Sequence, residues 1–232
     1  MTDVIREMRG AVYRGDGARV VALLAEAPDE DWLQLAGDGV LQALDQGVAA
    51  APEAARGMVE ALRARDWPGD EELAVELGAR IGDGPPSGLR PLPVELDELA
   101  SVLEGDPMRG GGRIDLRSGE VWHEPVYGDP WEADEDDDEE HWLYVDCEGS
   151  SEGYRDMEDF IATVGDRQLA GRLDVAIRGR GAFRRFRDVL DEAEDDDDRE
   201  RWLRFSDERS AGRARAWLAE HGLCPAPVSD RP

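Results

Sequence analysis

Hydrophobic residues recur at helical spacing through the first 81 residues. Glycine and proline divide this stretch into five segments, each with apolar positions at the i, i+3 and i+4 spacing of an amphipathic helix. Asp16 and Asp70 stand where a helix N-cap is expected, and Pro52 suits a first helical turn. Five short helices with tight turns predict a helical-repeat-like α domain, an α-hairpin stack, over residues 1–81.

The next segment is rich in glycine and proline. Residues 82–88 read Gly-Asp-Gly-Pro-Pro-Ser-Gly, and Pro91 and Pro93 follow closely. These residue types interrupt both helices and strands, so the sequence predicts a linker over residues 82–92 and a domain boundary there.

Beyond the linker the hydrophobic period changes from helical to alternating and back. Residues 96–103 predict a helix closed by Gly105. Residues 113–123 predict a β-hairpin with its turn at 117–120, and residues 141–147 predict a third strand. From Tyr154 onward the spacing predicts about four helices, one of them capped by Asp166. The fold class is therefore α+β: a small α+β domain over residues 93–224 follows the helical domain, and residues 225–232 form a flexible tail.

The charge is concentrated in one part of the chain. The 232 residues carry a formal charge of −28, and all 27 basic residues are arginine. Residues 129–160 hold 15 acidic residues and one arginine, and most of these acids lie in an acidic insert at residues 129–140. Such a chain repels phosphate backbones, so direct nucleic-acid binding is not expected. A solvated acidic run instead suits a basic protein surface.

Several other classes of protein are excluded. The sequence has no apolar run of about 18 residues and no basic, then apolar, N-terminal stretch, so neither a membrane span nor a signal peptide is expected. Its two cysteines cannot build a disulfide framework. These features favour a cytoplasmic protein in a reducing compartment.

An arginine-rich segment at residues 178–187 is the clearest candidate binding site. Two glycines precede a helix there, and exposed N–H groups at a helix N-terminus bind anions. Arg178, Arg180, Arg184 and Arg185 are the candidate anion-binding residues, because guanidinium groups bind phosphate and carboxylate in a bidentate manner. The alternative is structural: Arg184, Arg185 and Arg187 form ion pairs with the acidic residues at 188, 191 and 192.

The sequence predicts no catalytic residues, no metal and no cofactor. It has no Gly-x-Ser-x-Gly elbow, no P-loop with lysine and no Cys-x-x-Cys motif. His123, His141 and Cys147 include zinc-ligand types, but His141 and Cys147 are six residues apart on one predicted strand, about 20 Å when extended.

An ordered set of short motifs gives the second half of the chain a family resemblance. The set comprises Leu96-Asp97-Glu98-Leu99-Ala100, Ile114-Asp115-Leu116, Ser118-Gly119-Glu120-Val121, Met157-Glu158-Asp159-Phe160-Ile161, Gly179-Arg180-Gly181-Ala182-Phe183-Arg184-Arg185-Phe186, Arg201-Trp202 and Ala216-Trp217-Leu218, with the acidic insert between the second and third strands. Over about residues 93–224 this pattern resembles the bacterial uncharacterised protein family 0158. The resemblance implies a common fold unit and brings no site residues.

Two functional hypotheses follow. The first is a non-enzymatic interaction or regulatory protein that binds a basic protein partner through its acidic surfaces. The second is an enzyme or sensor that binds a phosphate-bearing small molecule with the four arginines of residues 178–187. The sequence leaves the partner and the oligomeric state open.

Overall fold

A computed structural model describes residues 2–26, 32–106, 108, 110–123, 141–193 and 196–226. The helices are α1 (Thr2–Tyr13), α2 (Gly17–Glu26), α3 (Leu33–Asp45), α4 (Ala51–Arg65), α5 (Asp70–Ile81), α6 (Leu96–Leu103), α7 (Ser151–Thr163), α8 (Arg167–Ala176), α9 (Ala182–Asp191) and α10 (Asp196–Glu220). The strands are β1 (Arg90–Leu92), β2 (Gly112–Asp115), β3 (Val121–His123), β4 (Trp142–Val145) and β5 (Leu223–Pro225). The predicted α+β fold class is confirmed. The acidic insert, residues 129–140, lies outside the described residues.

Helices α1–α5 form an N-terminal helical unit, residues 2–81, in which consecutive helices contact each other. Its core consists of the apolar residues that recur at helical spacing, among them Met8, Leu62 and Leu77, all fully buried. The Asp16 carboxylate accepts a hydrogen bond from the Arg19 N–H at 3.1 Å, the contact expected at the start of α2. Asp70 differs from its predicted role, because it is the first residue of α5, and Gly69 occupies the N-cap.

The predicted hairpin and third strand form one antiparallel sheet in the order β3-β2-β4. Gly119, with φ of +79°, is in the turn between β2 and β3 and packs against the carbonyl of Pro93. A Cβ atom at this glycine would lie 2.3 Å from that oxygen. The turn therefore needs glycine for both its conformation and its space.

A second, two-stranded sheet was not predicted. Strand β1 takes the last residues of the segment predicted as linker, and it pairs in parallel with β5, which ends at Pro225 in the predicted tail. Both strands are three residues long and contain proline, so neither has enough alternating positions to give a strand signal. Residues 227–232 lie outside the described part of the chain.

The 25-residue helix α10 connects the parts of the molecule. Trp202 near its start is buried among α7, α8 and α9, whereas Leu218 near its end is buried with α6 and the sheet. The middle of α10 contacts α3 and α5 of the N-terminal unit. The buried Asp156 of α7 holds this helix through Arg209 and Arg213, each at 2.8 Å. Among the residues that the structure covers, no helix is both long enough and apolar enough to cross a bilayer.

Candidate interaction surface

One face of the three-stranded sheet carries large aromatic side chains that remain exposed to solvent. Arg113 of β2 lies directly opposite Trp122 of β3 and Tyr144 of β4, so these three side chains share a face. Trp142, two residues before Tyr144, belongs to the same face. Trp122 is 42% exposed and Tyr144 is 60% exposed. We call these four residues the aromatic face.

Three side chains of the aromatic face, those of Arg113, Trp122 and Trp142, are in contact. The Arg113 guanidinium lies 3.7 Å from the centroid of the Trp142 ring, a cation–π stack. Trp122 meets the same ring edge-on, with 6.5 Å between the centroids. These contacts fix the two indoles around a guanidinium group at the surface.

The opposite face of the sheet determines which side chains are exposed. Ile114 and Val145 are buried in one core cluster with residues of α6 and α10, and the partly buried Leu143 and Val121 pack against this cluster. Because side chains alternate along a strand, burying this set places Trp122, Trp142 and Tyr144 on the other side. The burial of the inner face therefore creates the aromatic face.

The segment of the chain that forms this sheet is rich in acidic residues. Residues 112–148 contain fourteen aspartates and glutamates and two arginines, and ten of those acids lie between β3 and β4 at residues 124–140. Glu120 and Asp146 are exposed and continue β3 and β4 in the phase of Trp122 and Tyr144. The aromatic face is thus part of the most acidic region of the chain.

The arginine segment is arranged differently from a shared anion pocket. Arg178 forms an ion pair with Asp174 in α8, and Arg184 is 3.8 Å from Asp188 in α9 with 85% of its side chain exposed. Arg180 is exposed in the turn. Of these three predicted anion-binding residues, Arg178 and Arg180 thus lie in the turn between α8 and α9, and Arg184 lies on α9.

Arg185 is directed back toward the backbone of that turn. It donates hydrogen bonds to the carbonyls of Ala176 at 2.9 Å and Arg178 at 2.7 Å, and also to Gly179 and Arg180. These carbonyls follow the end of α8, where the helix leaves acceptors unsatisfied. The contacts give Arg185 a structural role, and anion binding by the segment stays a prediction.

A groove lies between the N-terminal unit and the remainder of the molecule. It has a volume of about 1050 Å³ and is lined by α1 and α3 on one side and by α6 and α10 on the other. Charged residues on both walls form ion pairs: Arg9 pairs with Asp207, and Asp38 with Arg215. Because these charges already have partners, the groove is a weaker candidate for a charged ligand than the aromatic face.

A buried ionic network forms the floor of this groove and joins α10 to the N-terminal unit. The Glu208 carboxylate accepts hydrogen bonds from the backbone N–H groups of Gln34 at 2.7 Å and Leu35 at 3.0 Å, so it caps α3 from another part of the chain. Arg65 lies 3.0 Å from Glu208 and 2.7 Å from Asp70. The network is a structural element, because its charged members are paired with one another.

The buried Glu208 is expected to make stability depend on pH. Burial raises the pKa of Glu208 from its usual value to about 7, even though Arg65 and two N–H groups favour the ionised form. Between the ordinary and the raised pKa, the folded state binds a proton that the unfolded state has lost, so this contribution to stability falls as pH rises.

The prediction is tested with a pH series on the wild type and on Glu208→Gln, which keeps an acceptor but does not titrate. From about pH 5 to about pH 8, the free energy of unfolding of the wild type is expected to fall by roughly 2–3 kcal/mol relative to the variant. Urea titrations at each pH give the difference. If the two free energies of unfolding differ by the same amount at every pH, Glu208 is ionised over the whole pH range.

The histidines and cysteines have local partners. His221 stacks on Trp217 at 3.9 Å, and His123 lies 3.2 Å from the Ser101 hydroxyl. Both cysteines are free thiols, and burial raises the pKa of Cys224 to about 11. Among the described residues, no three His, Cys, Asp or Glu side chains are grouped as metal ligands.

The aromatic face was only partly accessible to sequence reasoning. The strands that hold Trp122, Trp142 and Tyr144 were predicted, but both alternating sets of β4 are apolar, so the pattern did not reveal which set is exposed. The available signal was the hairpin partner Arg113, since a charged side chain marks the outer face.

Comparisons with known proteins support the family resemblance and no function. Residues 129–230 match the model of the uncharacterised protein family UPF0158. The match begins after β3, so the motifs at residues 96–100 and 114–121 lie outside it. Searches of the curated proteins and of the solved structures gave no match.

Proposed function

We propose that this protein is a non-catalytic interaction protein that binds a basic segment of a protein partner through its acidic region, residues 112–148. The observation that supports it is the combination of fourteen carboxylates against two arginines with exposed aromatic side chains in the same region. Carboxylates attract a basic partner over a distance, and aromatic rings at an interface supply contact area.

The proposal includes a cytoplasmic location. Cys147 and Cys224 are free thiols, and free thiols persist in reducing compartments. The high negative charge also disfavours anionic surfaces such as nucleic acid, so the partner is a protein.

A pair of charge-matched variants tests the proposal. In the first, Asp134→Asn, Glu135→Gln, Asp136→Asn and Asp137→Asn remove four carboxylates from the acidic insert. In the second, Glu53→Gln, Glu60→Gln, Glu71→Gln and Glu72→Gln remove four from α4 and α5. Both variants lose the same net charge, so any difference between them reflects where the charge lies.

The probe is a labelled peptide with five arginines spaced by glycine and serine, and binding is followed by fluorescence anisotropy at low and high salt. The insert variant is expected to bind about fivefold to thirtyfold more weakly at low salt, since each exposed ion pair contributes roughly 0.2–1 kcal/mol. The α4–α5 variant should remain within twofold of the wild type. Equal weakening in both variants, or no binding by the wild type, would overturn the proposal.

A further inference from the structure

We infer that the aromatic face recognises arginine side chains of the basic partner and discriminates against lysine. This inference rests on the proposed function and adds to it the side-chain chemistry that the surface selects. The site consists of Arg113, Trp122, Trp142 and Tyr144, with the carboxylates of Glu120 and Asp146 at its margin.

The aromatic face already contains a stacked arginine. The Arg113 guanidinium stacks at 3.7 Å on the Trp142 ring, so the spacing of the strands places a planar cation against an indole. Trp122 lies across from Arg113, edge-on to Trp142, and is 42% exposed. An arginine from a partner that stacks on the exposed ring of Trp122 or Tyr144 would form the same type of contact.

Arginine and lysine differ in how their cations interact with aromatic rings. A guanidinium group is planar and weakly hydrated, so it stacks on an aromatic ring at little cost of desolvation. An ammonium group is compact and strongly hydrated, and it pairs with carboxylates as a point charge. The carboxylates therefore attract both cations, whereas the rings favour arginine.

The charges around the aromatic face favour a cation. Arg113 alone would repel an incoming arginine, but Glu120 and Asp146 are exposed beside the face. Asp115, which follows Arg113 by two residues on β2, is opposite Trp142 and adds a third carboxylate on the same side of the sheet. Negative charge thus exceeds positive charge at the site, and a guanidinium group can pair with a carboxylate while it stacks.

Two peptides that differ only in their cations test the inference. One carries five arginines and the other five lysines, in the same glycine–serine background and with the same label. The wild type is expected to bind the arginine peptide about fivefold to tenfold more tightly. In the double variant Trp122→Ala/Tyr144→Ala, the preference should fall to within twofold, while binding of the lysine peptide stays as in the wild type.

A control variant and a third probe complete the experiment. Tyr13→Ala removes an aromatic ring that is 91% exposed on α1, and it should leave the arginine preference unchanged. Thermal melts followed by circular dichroism check that each variant is folded. A single-stranded oligonucleotide is included because exposed aromatic rings on a sheet also stack nucleobases.

The outcomes separate the inference from the proposed function. If both peptides bind the wild type equally, or if the double variant keeps its preference, arginine recognition is overturned while the acidic docking surface stands. If neither peptide binds, the proposed function fails and the inference fails with it. Tighter binding of the oligonucleotide than of the arginine peptide would also overturn the inference.

Discussion

Glu208→Ala is expected to lower the free energy of unfolding by about 3–5 kcal/mol, the cost of removing one partner from a buried ion pair. Glu208 is 5% exposed and holds three donors from the N-terminal unit: the N–H groups of Gln34 and Leu35 and the guanidinium of Arg65. Alanine leaves these buried donors without this acceptor. Urea unfolding followed by circular dichroism measures the change.

The matched control is Glu220→Ala, at the exposed end of the same helix. It should alter the free energy of unfolding by less than about 0.5 kcal/mol, as is usual for surface positions. Glu208→Gln, which retains an oxygen that can accept from the N–H groups, should give an intermediate loss. If Glu208→Ala unfolds at the same urea concentration as the control, the cap on α3 does not stabilise the protein.

Gly212→Ala is expected to destabilise the protein by about 3 kcal/mol or more, because a tightly packed position cannot accept even one methyl group. A Cβ atom at Gly212 would lie 2.1 Å from the carbonyl oxygen of Pro68, which is backbone and has little freedom to move. Gly69 lies on the other side of this close contact, because a Cβ atom at Gly69 would lie 2.2 Å from the Gly212 carbonyl oxygen. The close approach of these two glycines lets the backbone of α10 meet the N-terminal unit.

Gly78→Ala is the control for this substitution. Gly78 lies within α5, and a Cβ atom there would meet no atom within 4 Å. Alanine is therefore expected to stabilise the protein by about 0.5–1 kcal/mol through its higher helix propensity. Opposite signs for the two Gly→Ala variants in thermal melts would support the packing argument, and a mild effect at Gly212 would contradict it.

The sequence predicts helix starts and turns correctly where the contacts that form them join residues close together in the chain. Asp166 accepts a hydrogen bond from the Gln168 N–H at 2.8 Å and begins α8, as its position before the apolar stripe predicts. The hairpin turn before Glu120 formed for the same reason, since its residues lie within one short segment. Such contacts involve neighbours in sequence, and the residue types at each position decide them.

The sequence does not predict contacts between segments that are far apart in the chain. Asp70 has the residue type of an N-cap, but in the structure its carboxylate binds Arg65 and accepts from the Gln34 amide. Glu208 lies 174 residues from Gln34, and nothing in either segment marks the other as a partner. In a chain with 55 acidic residues, a carboxylate that will be buried cannot be distinguished by type from one that stays exposed.

For each candidate site, the sequence predicts some features and only the structure shows the others. The sequence identified the arginines at 178–187 as a cluster because they are adjacent in the chain, but it did not show that Arg185 donates to four carbonyls or that Arg178 pairs with Asp174. The aromatic face joins residues from three strands. Only the burial of Ile114 and Val145 on α6 and α10 decided that its rings face solvent.

The sequence by itself determined the period of each segment, and with it the α+β class, the helical N-terminal unit and the strands β2, β3 and β4. It also determined where the negative charge is concentrated. The tertiary structure alone decided the pairing of β1 with β5, the position of α10 against the N-terminal unit, and the exposed face of the sheet. The physical reason is that periodicity and capping depend on near neighbours, whereas burial and ion pairing depend on which distant surfaces meet.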